Sequence, residues 1–350
     1  VGERIAVIAG DGIGQEVMPA AIRCVDAVAE RQGLSFDWHH LEWGSDYYRA
    51  NGRMMPVDGL EQLESHDAIF FGAVGAPDIP DVETLWGLLI PIRRAFEQYI
   101  NLRPVKSFPG VRSPLKDADG IDMLIVRENN EGEYSEIGGR LYRGLPQEAA
   151  VQEAVFTRFG TERVARYAAT LATERRGLVT SATKSNGIVH TMPFWDEVVA
   201  QTVAEFDGVE LRSELIDALA AHVVLHPQSF DVIVASNLFG DILSDLASAV
   251  TGSIGIAPSA NLNPEHAHPS MFEPVHGSAP DIAGKGIANP IGQIWSGAMM
   301  LAHLGHGEAA GDLQTAFEKS VSDGVMTGDL GGTASTAEFT ESVLANLAAA

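Results

Sequence analysis

What most constrains this chain is a short apolar run that stops at a glycine and gives way to an amphipathic stretch. Arg4-Ile5-Ala6-Val7-Ile8-Ala9 is apolar and β-branched, halts at Gly10, and is followed to about Arg31 by apolar positions at helical spacing. That is a strand, a glycine turn and a helix. The alternation recurs: 67–73, 122–127, 177–182 and 231–236 are short apolar runs, each near helical segments such as 161–175 or 191–206. Repeated strand–helix alternation predicts the α/β class.

With 350 residues and roughly 150 residues per domain, two domains are expected. Residues 103–114 hold three prolines, and 252–264 are rich in Gly, Pro, Ser and Asn. Both read as crossings between domains, giving a discontinuous domain of 1–98 plus 255–350 and a second of 99–254. Residues 265–290 read as a further glycine- and proline-rich loop, 291–304 as helical, and the tail after Glu338 as a helix end. Lys plus Arg number 23 against 47 Asp plus Glu, a net charge of −24. That sign excludes general binding to a phosphate backbone, so no nucleic acid partner is expected. No run approaches the roughly 18–20 apolar residues that span a bilayer, so no membrane role is expected. Cys24 is the one cysteine and cannot form an intrachain disulfide; with no signal-peptide pattern at the start, a reducing, cytoplasmic setting is the expectation.

Gly10, Gly12 and Gly14 suggest a dinucleotide fingerprint, yet Gln15 stands where the third glycine of G-x-G-x-x-G belongs. By itself this is a tight strand-to-helix turn. Asp241 and Asp245, in NLFGDILSDLAS, lie at i and i+4 on a helical stretch. Two like charges on one face repel unless something positive sits between them, and hard carboxylate oxygens suit Mg²⁺ or Mn²⁺; a solvated helix start is the plain alternative. Arg93 borders an apolar helical face, Arg103 precedes Pro104 and is therefore extended, and Arg127 ends the strand IDMLIVR. Together they can hold a small dianion, or form separate surface ion pairs. Lys184 in SATKSN and Tyr134 in RENNEGEY are candidate proton-transfer groups. The segment 272–290 carries His276 and Asp281; Asp281 suits the two hydroxyls of an adenosine ribose and would repel a 2′-phosphate. The 11 histidines lack H-E-x-x-H spacing, so catalytic zinc is not expected.

Taken together, IAGDGIGQEV, NLRP, VRENNEGEY, TKSN, NLFGDILSDLAS and EPVHGSAPDIAGKGIANP resemble the β-decarboxylating dehydrogenases, the family of isopropylmalate, isocitrate, homoisocitrate, tartrate and D-malate dehydrogenases. The match covers nearly the whole chain. The resemblance implies an isopropylmalate-dehydrogenase-like, two-domain open α/β fold with a mixed sheet rather than a Rossmann fold, an active site in the cleft between domains, and a homodimer with shared active sites. It implies NAD and Mg²⁺ or Mn²⁺ as cofactors, with a monovalent cation such as K⁺ as a further candidate. By the same carry-over Asp241 and Asp245 bind metal with Asp217 of a partner subunit. Arg93, Arg103 and Arg127 grip the substrate, while Lys184, also from the partner, takes the C2 hydroxyl proton and Tyr134 protonates C3. Ile13, Asn186, Glu273, His276, Gly277, Asp281 and Asn289 are the implied cofactor residues.

The first-arginine helix, ETLWGLLIPIRR, faces the C3 substituent in this family, which makes Trp86 and Leu89 specificity residues. An apolar wall there would leave the third carboxylate of isocitrate unpaired, and Trp86 fills space that isopropylmalate needs. LWG-x-L and ENNEGEYSEIGGR look most similar to the D-malate and tartrate branch. The expected reaction is therefore oxidative decarboxylation of D-malate to pyruvate and CO₂, with tartrate as a further substrate. 3-Isopropylmalate is the alternative, and a non-catalytic regulatory subunit the alternative of another class. Asn130 replaces a Thr common in the family, and Pro91 inside the specificity helix is expected to kink that wall.

Overall fold

A computed structural model describes residues 2–349. In chain order the strands are β1 (Glu3–Gly10), β2 (Phe36–His40), β3 (Ala68–Ala73), β4 (Ile100–Lys106), β5 (Asp122–Glu128) and β6 (Gly138–Leu141). They continue with β7 (Ala149–Gln152), β8 (Leu178–Thr183), β9 (Glu210–Leu215), β10 (Val232–Ala235), β11 (Pro258–Leu262) and β12 (Ser270–Pro274). Two compact units result: Val1–Gln98 with Arg103–Gly120 and Ser248–Ala350, and Tyr99–Leu102 with Ile121–Ala247. β4 therefore contributes to both.

In the first unit the strand order is β2-β1-β3-β12-β11. All neighbours are parallel except β11 and β12, which run antiparallel, so the sheet is mixed. β3 is buried at every position, which is why its sequence is a continuous apolar run instead of an alternating one. The helix Gly14–Arg31 lays Val17, Ala21, Val25 and Val28 into the core at helical spacing. Ile8, Ile69, Phe71, Leu88, Ile92 and Phe96 form one apolar cluster there.

The second unit's sheet runs β5-β10-β8-β9, all parallel, with the four-residue β10 wholly buried. Trp195 is fully buried, and its indole N–H donates to Ser181 Oγ of β8 at 3.0 Å. β6 and β7 form a separate antiparallel pair, exposed along its length. Among the described residues no helix is long and apolar enough to cross a membrane.

Several sequence boundaries move for identifiable reasons. The stretches 252–264 and 265–290 are not wholly loop, because β11 and β12 lie within them and are buried throughout. Their sequences, PSANL and SMFEP, lack a β-branched run, and only the pairing of Ser259 with Glu273 and Ala260 with Phe272 makes them strands. Residues 103–120 and 248–254, assigned by sequence to 99–254, group with the first unit. Ser113 Oγ donates to the Val250 carbonyl at 2.6 Å, and Phe108 packs edge-on against Trp295 and Phe317. The helix expected at 161–175 is Arg158–Thr173, because Thr157 caps it by accepting from the Gly160 N–H at 2.9 Å.

The glycine turn after β1 is structural. Gly10 (φ 70°) and Gly12 (φ 55°) occupy the left-handed region, and a Cβ would come within 1.9 Å of the Ala73 carbonyl oxygen at the first and 2.0 Å of Ser278's at the second. The Asp11 N–H bonds the Ala73 carbonyl and the Ile13 N–H that of Ser278, while the Asp11 carboxylate accepts from Ser45 and from the Gly75 N–H. The donors that would cradle a phosphate are thus used inside the protein. Gly10→Ala is expected to lower unfolding free energy by about 2–3 kcal/mol, combining left-handed strain with backbone collision. A shifted denaturant midpoint at unchanged slope would show it; an unshifted midpoint would refute this account of the turn.

Candidate active site

In the first unit, the helical segment after Asp81 is not regular. Leu85–Leu89 form a π turn, in which the Ile90 N–H bonds the Leu85 carbonyl, and Ile90–Ala95 resume the α-helix. Pro91 explains the break, since it brings no N–H and its ring excludes the carbonyl four residues back. A cavity of about 180 Å³ opens against this segment, lined by Leu85, Leu89, Arg93, Arg103, Glu273, His276 and Gly277 among others. Arg93 Nη2 donates to Glu273 Oε1 at 2.7 Å, and the same oxygen accepts from Asn261 Nδ2 at 2.7 Å. Trp86 does not line this cavity. The π turn puts Leu85 and Leu89 on the cavity side, and Trp86 is half-buried away from it, its ring beneath the Arg94 guanidinium at 4.9 Å.

A second cavity in the same unit, of about 480 Å³, is lined by Ile13, Ser253, His276, Ala279, Ile282, Ile287, Asn289 and Asp329 among others. His276 borders both cavities. Its Nδ1 faces the Gly277 carbonyl at 3.0 Å, its Nε2 is buried with no hydrogen-bond partner, and burial holds its pKa below the ordinary histidine value. Asp329 accepts from Asn289 Nδ2 at 3.0 Å and from Ser253 Oγ at 2.6 Å, so it fixes two wall residues at once. Asp281 is exposed and outside the lining, two residues beyond Ala279 and one before Ile282.

The second unit gathers another set of side chains. β5 ends by presenting Arg127, which packs so tightly under the helix Asn237–Thr251 that a Cβ at Gly240 would lie 2.6 Å from Arg127 Cβ. Arg127 Nε and Nη2 donate to Asn237 Oδ1 at 3.0 and 2.7 Å, and Nη1 donates to Asp241 Oδ1. Tyr134 lies with its ring centre 5.5 Å from that guanidinium and gives its hydroxyl proton to Asp241 Oδ2 at 3.0 Å. Burial, and then the charge of Asp241, hold the phenol above its ordinary pKa. Asp245 follows one turn later on the same helix. After β8, Lys184 Nζ donates to Asp217 Oδ1 at 2.7 Å, an ion pair that holds the Asp217 carboxyl below its usual range.

Carboxylate oxygens at Asp241 and Asp245 are hard donors that fit Mg²⁺ or Mn²⁺. Among the described residues no three His, Cys, Asp or Glu side chains are placed for a metal. Asp217 therefore does not join the helix pair within one chain, where the helix offers two carboxylates and no third. The larger cavity suits a dinucleotide: its isoleucine walls fit a planar base, and the orphaned His276 nitrogen fits a polar contact.

Of the residues singled out from sequence, the first unit thus collects Leu89, Arg93, Arg103, Glu273, His276 and Gly277 at one cavity, and Ile13, His276 and Asn289 at the other. The second unit collects Arg127, Tyr134 and Asp241. Asn186 is exposed just beyond Lys184. Missed from sequence were Leu85, Asp329, and Glu16, whose carboxylate receives the N–H groups of Gly284 and Gly286 and shapes the 272–290 loop. The acidic run in RENNEGEY was the readable signal for three more. Glu128 accepts the Asn130 and Glu131 N–H groups, Glu131 accepts from Thr157, and Glu133 accepts from Ser236 and Leu238.

Residues 4–343 match the family described as isocitrate/isopropylmalate dehydrogenase. A "probable tartrate dehydrogenase/decarboxylase" of Bacillus subtilis is 55% identical over 98% of this chain and 97% of its own. The "D-malate dehydrogenase [decarboxylating]" of Escherichia coli is 53% identical over 97% of each. The crystal structure of isocitrate dehydrogenase from Methylococcus capsulatus superposes with a TM-score of 0.89 at 34% identity, over 99% of both chains. The chain belongs to the isocitrate/isopropylmalate dehydrogenase family. Within that family it is a decarboxylating dehydrogenase.

Complete burial pushes the Glu128 carboxyl up to about 7, its two N–H donors offsetting only part of the cost. Between the unfolded value near 4.5 and that folded value the native state holds the extra proton, so this group's contribution falls as pH rises. The full effect is on the order of 3 kcal/mol. Glu128→Gln is expected to flatten the loss of thermal stability between pH 5 and pH 7.5; identical slopes in the two proteins would contradict the assignment.

Proposed function

We propose that the chain catalyses the NAD- and divalent-metal-dependent oxidative decarboxylation of D-malate to pyruvate and CO₂, with tartrate as a further substrate. The observation that carries this reading is the lining of the smaller cavity, two guanidinium groups beside two leucines. D-Malate brings two carboxylates for the arginines and only hydrogen at C3 for Leu85 and Leu89. The C3 hydroxyl of tartrate would lose its water partners against leucine, so D-malate is placed first; the tartrate names among the relatives keep it second. Isocitrate would bury a third carboxylate there at a cost of a few kcal/mol. The branch of 3-isopropylmalate suits an apolar wall but needs room in about 180 Å³.

The roles follow from chemistry. Arg93, Arg103 and Arg127 hold the substrate carboxylates, each guanidinium offering paired donors. Lys184 takes the proton of the C2 hydroxyl, and Tyr134 returns one to C3 after CO₂ departs; a phenol held above its usual pKa stays protonated for that task. Glu273 orients Arg93. The walls of the larger cavity would hold NAD, which when bound would supply the hydride acceptor, and Asp281 would select against a 2′-phosphate. A divalent cation on Asp241 and Asp245, with Asp217 of the partner subunit, supplies positive charge to the C2 oxygen when bound. Lys184 and Asp217 are paired in one chain, so in the proposed homodimer a second copy would contribute both together.

Comparison of kcat/KM for D-malate, L-tartrate, 3-isopropylmalate and isocitrate is expected to rank D-malate first. A tenfold preference for 3-isopropylmalate would overturn the substrate assignment, and equal turnover with NADP the role of Asp281. Chelation should abolish activity and added Mg²⁺ or Mn²⁺ restore it. Asp241→Asn is expected to weaken Mn²⁺ binding and turnover by about a hundredfold; undiminished activity without metal would end the metal-dependent reading.

A further inference from the structure

We propose that Glu133 is a positioning residue whose carboxylate caps the helix Asn237–Thr251 from a separate loop and thereby keeps Tyr134 on Asp241. The inference rests on the roles proposed above for Tyr134 and Asp241, and Glu133 itself touches neither substrate nor metal in that scheme. Glu133 Oε1 accepts from Ser236 Oγ at 2.7 Å, and Oε2 accepts from the Leu238 N–H at 3.1 Å. The first N–H groups of a helix have no partner within it, and a carboxylate at that end also meets the positive pole of the helix dipole. Glu133 answers both needs.

Its sequence neighbour makes the cap matter for chemistry. Tyr134 donates to Asp241 Oδ2 at 3.0 Å, so two consecutive loop residues hold the helix at Leu238 and at Asp241, roughly 4.5 Å apart along its axis. On its other side the loop is pinned at Gly132, which exchanges hydrogen bonds with Val155 at 2.7 and 3.0 Å and has φ 82°. The Glu131 carbonyl adds a strut by accepting from Asn237 Nδ2 at 3.1 Å. Without the Glu133 side-chain contacts, residues 133–134 lose their tie to the start of the helix, while the Glu133 carbonyl still accepts from Gln152 Nε2 at 3.0 Å. The phenol then loses its place over Asp241, and a displacement of about 1 Å at a reacting group lowers rate steeply.

The test compares Glu133→Ala, Glu133→Gln and Glu133→Asp in the full-length protein, with turnover of D-malate and Mn²⁺ titration as readouts. Ala is expected to lower kcat and Mn²⁺ affinity by about ten- to a hundredfold, with KM for D-malate changed little. Gln keeps an acceptor for the Leu238 N–H and can donate to Ser236 Oγ, so it should recover most of both. A cap that served stability alone would lower the melting temperature and leave kcat and Mn²⁺ affinity at parental values in the folded variant, which would overturn the proposal. Gln as impaired as Ala would overturn its hydrogen-bond basis. Should Ala fail to fold, Asp is decisive: one methylene short of both partners, it should lower kcat, and parental kcat would refute the role. Asp241→Asn measured alongside separates the levels, since normal Mn²⁺ binding there would remove the functional reading and this inference with it.

Discussion

The second unit is organised around the need to give one helical carboxylate a counter-charge. Asp241 projects from an amphipathic helix, in a chain of net charge −24. Nearby positive charge matters most to it, because distant surface charges are screened beyond roughly 8 Å. Arg127 provides that charge from the end of β5, nearly buried, with Asn237 completing its donors. Gly240 makes the arrangement possible, since any side chain there would collide with Arg127. Tyr134 takes the remaining carboxylate oxygen. A cation held by Asp241 would therefore meet a carboxylate already oriented by a guanidinium and a phenol.

The acidic segment 128–133 is a frame for those groups. Glu128 closes the turn that follows Arg127, Glu131 ties it to the start of the helix Arg158–Thr173, and Glu133 ties it to the helix that carries Asp241. Each carboxylate is consumed by backbone N–H groups or hydroxyls. Three acids within six residues would repel one another in water; here each has its own donors, and the most buried, Glu128, answers the remaining cost by holding its proton longer.

The first unit holds two contrasting cavities, one lined by two guanidinium groups and a carboxylate, the other with isoleucine and alanine among its walls. Arg93 is oriented by Glu273, which also offsets part of its charge, while Arg103 enters the same cavity from β4. The π turn before Pro91 determines which apolar side chains complete the wall, Leu85 and Leu89 instead of Trp86. His276 lies where the two cavities meet, and the loop that carries it is held by Glu16 far away in sequence.

Local order was legible in the residues alone. The α/β alternation, the turn at Gly10, the helix bearing Asp241 and Asp245, and the extended Arg103 follow from periodicity, glycine and proline, which act over a few neighbouring residues. Features created by partners distant in sequence were not legible. β11 and β12 are strands only because they pair, 103–120 belongs to the first unit because Ser113 and Phe108 find partners beyond residue 249, and Trp86 leaves the wall because a π turn changes the helix phase. The same holds for Glu16, Glu128, Glu133 and Asp329, whose charges read as surface polarity until folding shows which N–H and hydroxyl groups they satisfy. Sequence specified the chemical groups and their local backbone; tertiary structure decided their partners, because hydrogen bonding, burial and charge pairing depend on distances through space.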